Sequence, residues 1–258
     1  MKVRKAGDVL KVSHEETEFW AMRSQKYNKL EWANKSDYLR EFLDAGHFSS
    51  QDEVLDVGTG TGIIAHTVAP HVKKVTGIDI SEEMIRQADD PKYPNIEWFQ
   101  MDTHQLEFPD AAFDKLTARM VFHHVTTDTQ KGMAECFRVL KNGGVMVFSE
   151  GVPPTPHVVP FYTEMFKLKE DRITFMEEDL EALMTGAGFK KIQKKIYWAR
   201  QASIKNWLEN SGIPQENQDK IFQMHLDLDL QGKKDYNMEI RNGDCFIDMK
   251  FVILAGTK

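Results

Sequence analysis

The stretch Val54-Leu55-Asp56-Val57-Gly58-Thr59-Gly60-Thr61-Gly62 constrains this 258-residue chain more than any other. A short apolar run carries an acidic residue near its end and then three glycines at alternate positions. Without Cβ atoms, Gly58, Gly60 and Gly62 let the backbone turn sharply and come close to a bound ligand. A helical pattern follows, so the turn joins a strand to a helix start, where free N–H groups favour an anionic group. Dinucleotide enzymes use a comparable turn, but their third glycine stands three residues after the second. Here the spacing is G-x-G-x-G, position 63 is Ile63, and Asp56 has no place in that fingerprint. The spacing argues against a nicotinamide-dependent oxidoreductase, the first competing class.

Around this turn, short apolar runs alternate with helical patterns. Strands are expected at 53–58, 74–80, 95–102, 113–120 and 144–150, and helices at 62–73, 82–89 and 130–141, the last stopped by Asn142, Gly143 and Gly144. Strand–helix alternation with short connections predicts an α/β fold, a doubly wound and mostly parallel sheet. Residues 14–46 place Phe19, Trp20, Tyr27, Leu30, Trp32, Tyr38, Leu39 and Phe42 at helical spacing, with Gly46 as the expected C-cap. A Pro-rich turn (Pro153, Pro154, Pro156) leads to helical stretches at 161–169 and 177–186. Residues 189–199 read as a strand with lysines on both faces, which suits a sheet edge; a basic patch is the functional alternative. Two more helical patterns, 203–210 and 215–228, precede an Asn242-Gly243 hairpin signal. The expected organisation is a helical cap at 1–50, a core at 51–150, and a second half of the same core at 151–258 with a helical lid insertion at about 200–235.

At Asp56 and its glycines the chain resembles the class I S-adenosylmethionine-dependent methyltransferases, whose first motif is an acidic residue followed by G-x-G-x-G. The wording continues in Asp79-Ile80-Ser81-Glu82-Glu83-Met84, in Asp102 at the third strand end, and in 113–125 and 137–150, which look like the quinone-C-methyltransferase-like (type 11) branch. The resemblance implies a Rossmann-like seven-stranded sheet with its last strand antiparallel. It implies S-adenosyl-L-methionine as cofactor, with S-adenosyl-L-homocysteine as product. Asp79 would hold the ribose hydroxyls, Met84 would pack on the adenine, and Asp102 would accept from the adenine amino group beside a backbone contact at Thr103. Thr59, Ile80, Arg119 and Tyr27 complete the cofactor set. The usual family fold joins its last two strands by a short hairpin, so the insertion near 200–235 is a departure.

The residues give an independent check. Gly58–Gly62, Asp79, Asp102, Arg119–His124 and Ser149–Glu150 each fall at the C-terminal end of a different expected strand, and ligands bind outside those ends in an open α/β sheet. Asp56 either braces the glycine turn or reaches the ligand through water. His123 and His124 follow the fourth strand; one of them, His124 by preference, could handle an acceptor proton near neutral pH, with Glu150 as a rival base. The alternative is that both rings pack. Cys136 reads as core, and the other histidines have no metal-ligand spacing, so no metal is expected.

Composition narrows the partners. The formal charge is −7, which disfavours a nucleic-acid (tRNA) methyltransferase, the runner-up acceptor class. Two cysteines suggest a reducing compartment, and neither a signal sequence nor a membrane-spanning run is seen. The expectation is a cytoplasmic enzyme acting on a small-molecule acceptor, with a homodimer and a non-catalytic cofactor-binding module left open.

Overall fold

The computed structural model describes residues 4–5 and 14–258. The remaining part of the expected 1–50 cap, and the Phe19 side chain, lie outside the described residues. The strands are β1 (Arg4–Lys5), β2 (Glu53–Val57), β3 (Lys74–Asp79), β4 (Ile96–Gln100), β5 (Phe113–Arg119), β6 (Leu140–Val152), β7 (Lys190–Ser203), β8 (Glu239–Arg241) and β9 (Asp244–Thr257). The helices are α1 (His14–Tyr27), α2 (Ser36–Gly46), α3 (Ile63–Val68), α4 (Glu82–Ala88), α5 (Thr129–Val139), α6 (Val159–Lys167), α7 (Glu177–Ala187), α8 (Ile204–Glu209), α9 (Gln215–Leu226) and α10 (Leu230–Asp235).

One sheet runs in the order β1-β4-β3-β2-β5-β6-β9-β7, with β8 paired to β9. Strands β4, β3, β2, β5 and β6 are mutually parallel, and β9 lies antiparallel between β6 and β7. This is the expected mostly parallel seven-stranded sheet with a reversed last strand, extended by the short β1 and β8. Successive residues of the central strands face opposite cores. Met146 and Phe148 belong to one cluster with Leu55, Leu116 and Leu254; Val147 belongs to the other with Val54, Val75 and Ile253. Both faces are therefore covered, which is what a parallel sheet of near-continuous apolar strands requires.

Strand β7 is an edge, and two of its four lysines face acidic partners: Lys194 meets Glu177 (3.0 Å) and Glu181 (2.6 Å), and Lys195 meets Glu41. Lys190 and Lys191 are exposed at the start of the strand. Asn242 and Gly243 both have positive φ, 53° and 70°, as a two-residue hairpin needs. The expected cap at Gly46 is displaced by one residue, because His47 takes the left-handed conformation (φ 46°). Gly46 is needed for space instead: a Cβ there would lie 2.2 Å from the Phe48 ring.

Helices α8, α9 and α10 occupy the expected insertion. Helices α8 and α9 pack behind the end of α6 and the residues that follow it: Trp207 meets Phe166 edge-on at 5.8 Å, and Asn217 donates to the Leu168 carbonyl at 2.7 Å. Asn206 holds the backbone of Lys29 and Glu31, just beyond α1.

Candidate active site

A cavity of about 660 Å³ opens along the C-terminal ends of β2, β3, β4 and β5, roofed by α1. Its first wall is the glycine turn, with Gly58, Gly60 and Gly62 all at positive φ (59°, 54°, 79°). The reasons for the three glycines differ. A Cβ on Gly58 would strike Val121 at 2.4 Å, one on Gly62 would strike His66 and Trp98 near 3 Å, and one on Gly60 would meet nothing within 4 Å. Gly60 thus presents bare backbone to the cavity, whereas Gly62 serves helix packing and is absent from the wall.

Asp56 lies beneath the turn and accepts from the Thr59 and Thr117 hydroxyls at 2.5 and 2.6 Å, so both carboxylate oxygens brace the structure. Burial pushes its carboxyl up to about 6. Asp79 ends β3, accepts from the backbone N–H groups of Gly60 (2.8 Å) and Ser81 (2.9 Å), and is likewise pushed up to about 6 by burial. Asp102 accepts from the His104 backbone and faces its ring at 2.8 Å. Ile80, Met84 and Thr103 join Asp79 and Asp102 on the wall. Arg119 and Tyr27 also line it; the Arg119 guanidinium donates to the Ala33 carbonyl at 2.7 Å and so ties β5 to the helical cap.

The far end is built by Trp20, Arg23, His123, His124, Lys169 and Glu170. The His123 ring is held by Glu150, whose second oxygen accepts from the N–H groups of Val121 and Phe122. Glu150 therefore stands behind His123, off the cavity wall, with its carboxyl pushed up to about 7 by burial. Among the described residues the His124 ring has no hydrogen-bond partner, and it meets Trp20 edge-on at 4.8 Å. Burial, and then neighbouring positive groups, hold both histidines well below their ordinary range. Glu170 is ringed by Lys169 (2.5 Å), Arg172 (3.5 Å) and Arg23. Burial would raise its carboxyl, but those cations, Arg23 foremost, hold it well below the carboxylate range. Ligand atoms of His123, His124 and Glu170 lie within 4.8 Å of one another, a spacing a metal could bridge. A divalent ion there would meet three buried cations, so the electrostatics oppose one.

Residues 55–148 match a family model described as a methyltransferase domain. The chain is similar to that family over these residues. It is 26% identical over 182 residues to the uncharacterized methyltransferase YcgJ of Bacillus subtilis, covering 67% of this chain and 70% of that one. The YcgJ crystal structure superposes with a TM-score of 0.75 at 21% identity, covering 86% of this chain and 98% of that one. A demethylmenaquinone methyltransferase of Tropheryma whipplei is 40% identical over 113 residues, 43% of this chain; the chain spans less than half that relative's length (46%). A phosphoethanolamine methyltransferase of Haemonchus contortus, solved with phosphomonomethylethanolamine and S-adenosylhomocysteine, shares the fold at a TM-score of 0.65 and 18% identity, over 91% of this chain and 57% of that one.

The sequence-derived set converges on one cavity except for Gly62 and Glu150. The insertion supplies no residue to the wall and backs the segment that carries Lys169, so the lid expected at 200–235 is a buttress one layer out. Sequence reasoning missed Arg23, Lys169 and Glu170. Arg23 shares a helical face with Trp20 and Tyr27, which was a usable signal. Lys167 through Arg172 reads as a charged surface run and gave none.

Proposed function

We propose that the protein transfers a methyl group from S-adenosyl-L-methionine to a small-molecule acceptor. The observation that carries this reading is the single continuous cavity, with Gly58, Gly60, Asp79 and Asp102 at one end and His124, Arg23 and Lys169 at the other. The residues fit the cofactor: Gly60 presents bare backbone to the cavity, and Asp79 is a half-buried carboxylate on the same wall with lone pairs left for hydroxyl donors. Names of relatives that act on demethylmenaquinone support a small acceptor.

The cofactor supplies a methyl group already activated by its sulfonium, so the protein's main task is positioning, which can supply ~7–11 kcal/mol of the barrier. Asp56 fixes the turn through Thr59 and Thr117, and Asp79 holds it from β3. Trp20 and α1 exclude water above His124. Neutral His124, its ring uncommitted, accepts the acceptor's proton where one must leave, which adds ~10²–10⁴-fold. His123 is the alternative base, oriented by Glu150 acting as a positioning residue.

Calorimetry tests the cofactor half. Asp79→Ala removes charge-assisted hydrogen bonds of about 1.5–3 kcal/mol each, so affinity for S-adenosyl-L-methionine and its product should drop at least ~10-fold. Equal affinity in a folded variant, or no cofactor binding by the wild type, overturns the reading; tighter binding of NAD would favour an oxidoreductase.

A further inference from the structure

We infer that His104 is a positioning residue for adenine recognition: its ring ties down one oxygen of Asp102 and leaves the other to accept from the 6-amino group of the cofactor. The inference rests on the methyltransferase reading for the identity of the ligand, but the bracing of Asp102 stands on its own geometry.

Asp102 stands just beyond the C-terminal end of β4, on the cavity wall. Two groups of one residue converge on its Oδ1: the His104 backbone N–H at 2.8 Å and the His104 ring Nδ1, also at 2.8 Å. The opposite ring nitrogen, Nε2, lies 2.7 Å from the carbonyl oxygen of Thr127. A carbonyl only accepts, so Nε2 carries a proton and donates. The Nδ1 contact has ordinary hydrogen-bond length and therefore holds a proton as well. The ring is a strut with an oxygen at either edge. One end is the adenine wall; the other is the segment after β5, where the Thr129 hydroxyl fixes the Val125 carbonyl at 2.5 Å.

Asp102 Oδ2, by contrast, accepts nothing from the described residues and is not sealed from solvent. With Oδ1 tied twice, the carboxylate is not free to rotate, and the same oxygen stays available on the cavity wall. That arrangement gives the wall a sense of hydrogen bonding. An amino group in the ring plane of a purine donates to Oδ2, whereas a keto oxygen at the same position would set two acceptors against each other. A site built to accept from a ligand N–H rejects the analogue that lacks it, because its own polar group is then left unpaired. His104 acts through Asp102 in this scheme and need not touch the cofactor.

Calorimetry on the full chain near neutral pH compares S-adenosyl-L-homocysteine with S-inosyl-L-homocysteine, in which a keto oxygen replaces the 6-amino group. Wild type should favour the adenine compound by ~10-fold or more, the worth of one charge-assisted hydrogen bond. Asp102→Asn should lose that preference, because an amide can turn a donor toward the keto group. His104→Leu and His104→Gln should cut it to ~3-fold or less. Leucine has no donor, and the longer glutamine amide places its nitrogen near Nε2, on the Thr127 side. His104→Asn, whose amide nitrogen falls near Nδ1, should restore the preference. Should His104→Leu fail to fold, the Gln and Asn variants decide the matter between them. A variant that merely loosens the loop weakens both compounds together and leaves their ratio intact. An unchanged ratio in His104→Leu and His104→Gln, or no rescue in a folded His104→Asn, overturns the inference. Equal affinity of the wild type for the two compounds also overturns it and leaves the methyltransferase reading standing. Binding of neither compound by the wild type sinks that reading itself, and the inference with it.

Discussion

His123 Nδ1 lies 2.6 Å from Glu150 Oε2, and both side chains are buried to within 1% of complete. The other oxygen of the same carboxylate accepts from Val121 and Phe122, so one side chain at the end of β6 sets the whole turn that follows β5. This cross-strand bond is why two adjacent histidines come to differ: His123 is fixed, and His124 is left to the cavity.

Glu150 should give the protein a measurable pH dependence of stability. Burial raises its folded pKa from 4.5 to about 7. The native state then holds more protons than the unfolded state between those values, so stability falls as pH rises through the window and levels off above it. Glu150→Gln lacks that slope. Between pH 5 and pH 8 it should therefore gain about 2–3 kcal/mol relative to wild type in urea unfolding. Parallel stability profiles for the two proteins would show that the carboxyl titrates normally.

The histidines should behave in the opposite sense. Because burial holds His123 and His124 well below 6.5, both rings stay neutral from pH 6 to 8. Their effect on stability appears only in acid, where the unfolded state takes up protons first and stability falls with pH. Ring NMR shifts of the two residues should be flat from pH 8 to 6 and assigned by His123→Gln and His124→Gln. A midpoint near 6.5 for either ring would place it in water, with an ordinary acid limb.

Much of this arrangement was legible in the chain because it is local. The alternation of Val54, Leu55 and Val57, the glycine turn, and the carboxylates Asp79 and Asp102 at strand ends follow from period, turn chemistry and the rule for sheet crevices. The Asn242-Gly243 hairpin was legible for the same reason. Three features were not. Lys169 and Glu170 sit in a run of charged residues that would normally face water, and only the fold of α6 beneath α1 buries them. The two-residue β1 has no pattern to read, and its pairing with Phe99 and Gln100 is purely tertiary. The apolar residues of the insertion pointed to a covering role, yet periodicity does not say what a helix covers, and Trp207 turned out to back Lys169 instead of closing over the cavity.

Lys169 offers a stability test that needs no ligand. Its folded pKa, about 7, lies below the ordinary 10.5 because burial disfavours the ammonium. Between those values the unfolded state binds the extra proton, so wild-type stability contributed by this group rises with pH over that range and is lowest at and below 7. Lys169→Met should be stabilised relative to wild type by a few kcal/mol more at pH 7 than at pH 10, read as the difference between urea midpoints. A constant difference across pH would mean that Glu170 keeps the ammonium at its ordinary strength.

The last prediction separates two glycines that look equivalent in the sequence. At Gly58, φ is 59° and an added Cβ would lie 2.4 and 2.5 Å from the two methyls of Val121. Val121 cannot withdraw, since its N–H is bound to Glu150. Gly58→Ala therefore combines left-handed strain of about 1–2 kcal/mol with a clash against a held β-branched side chain. At Gly60, φ is 54° and nothing lies within 4 Å, so Gly60→Ala carries the strain alone. Its methyl, however, would project where backbone now faces the cavity. Gly58→Ala should lose about 3 kcal/mol or more in urea unfolding, and Gly60→Ala only about 1–2 kcal/mol. Cofactor affinity should order them differently: Gly60→Ala, although well folded, should bind S-adenosyl-L-homocysteine at least ~10-fold more weakly than wild type. Wild-type affinity in Gly60→Ala would mean that the cofactor does not rest on this turn, and the assignment of that wall of the cavity would have to be abandoned.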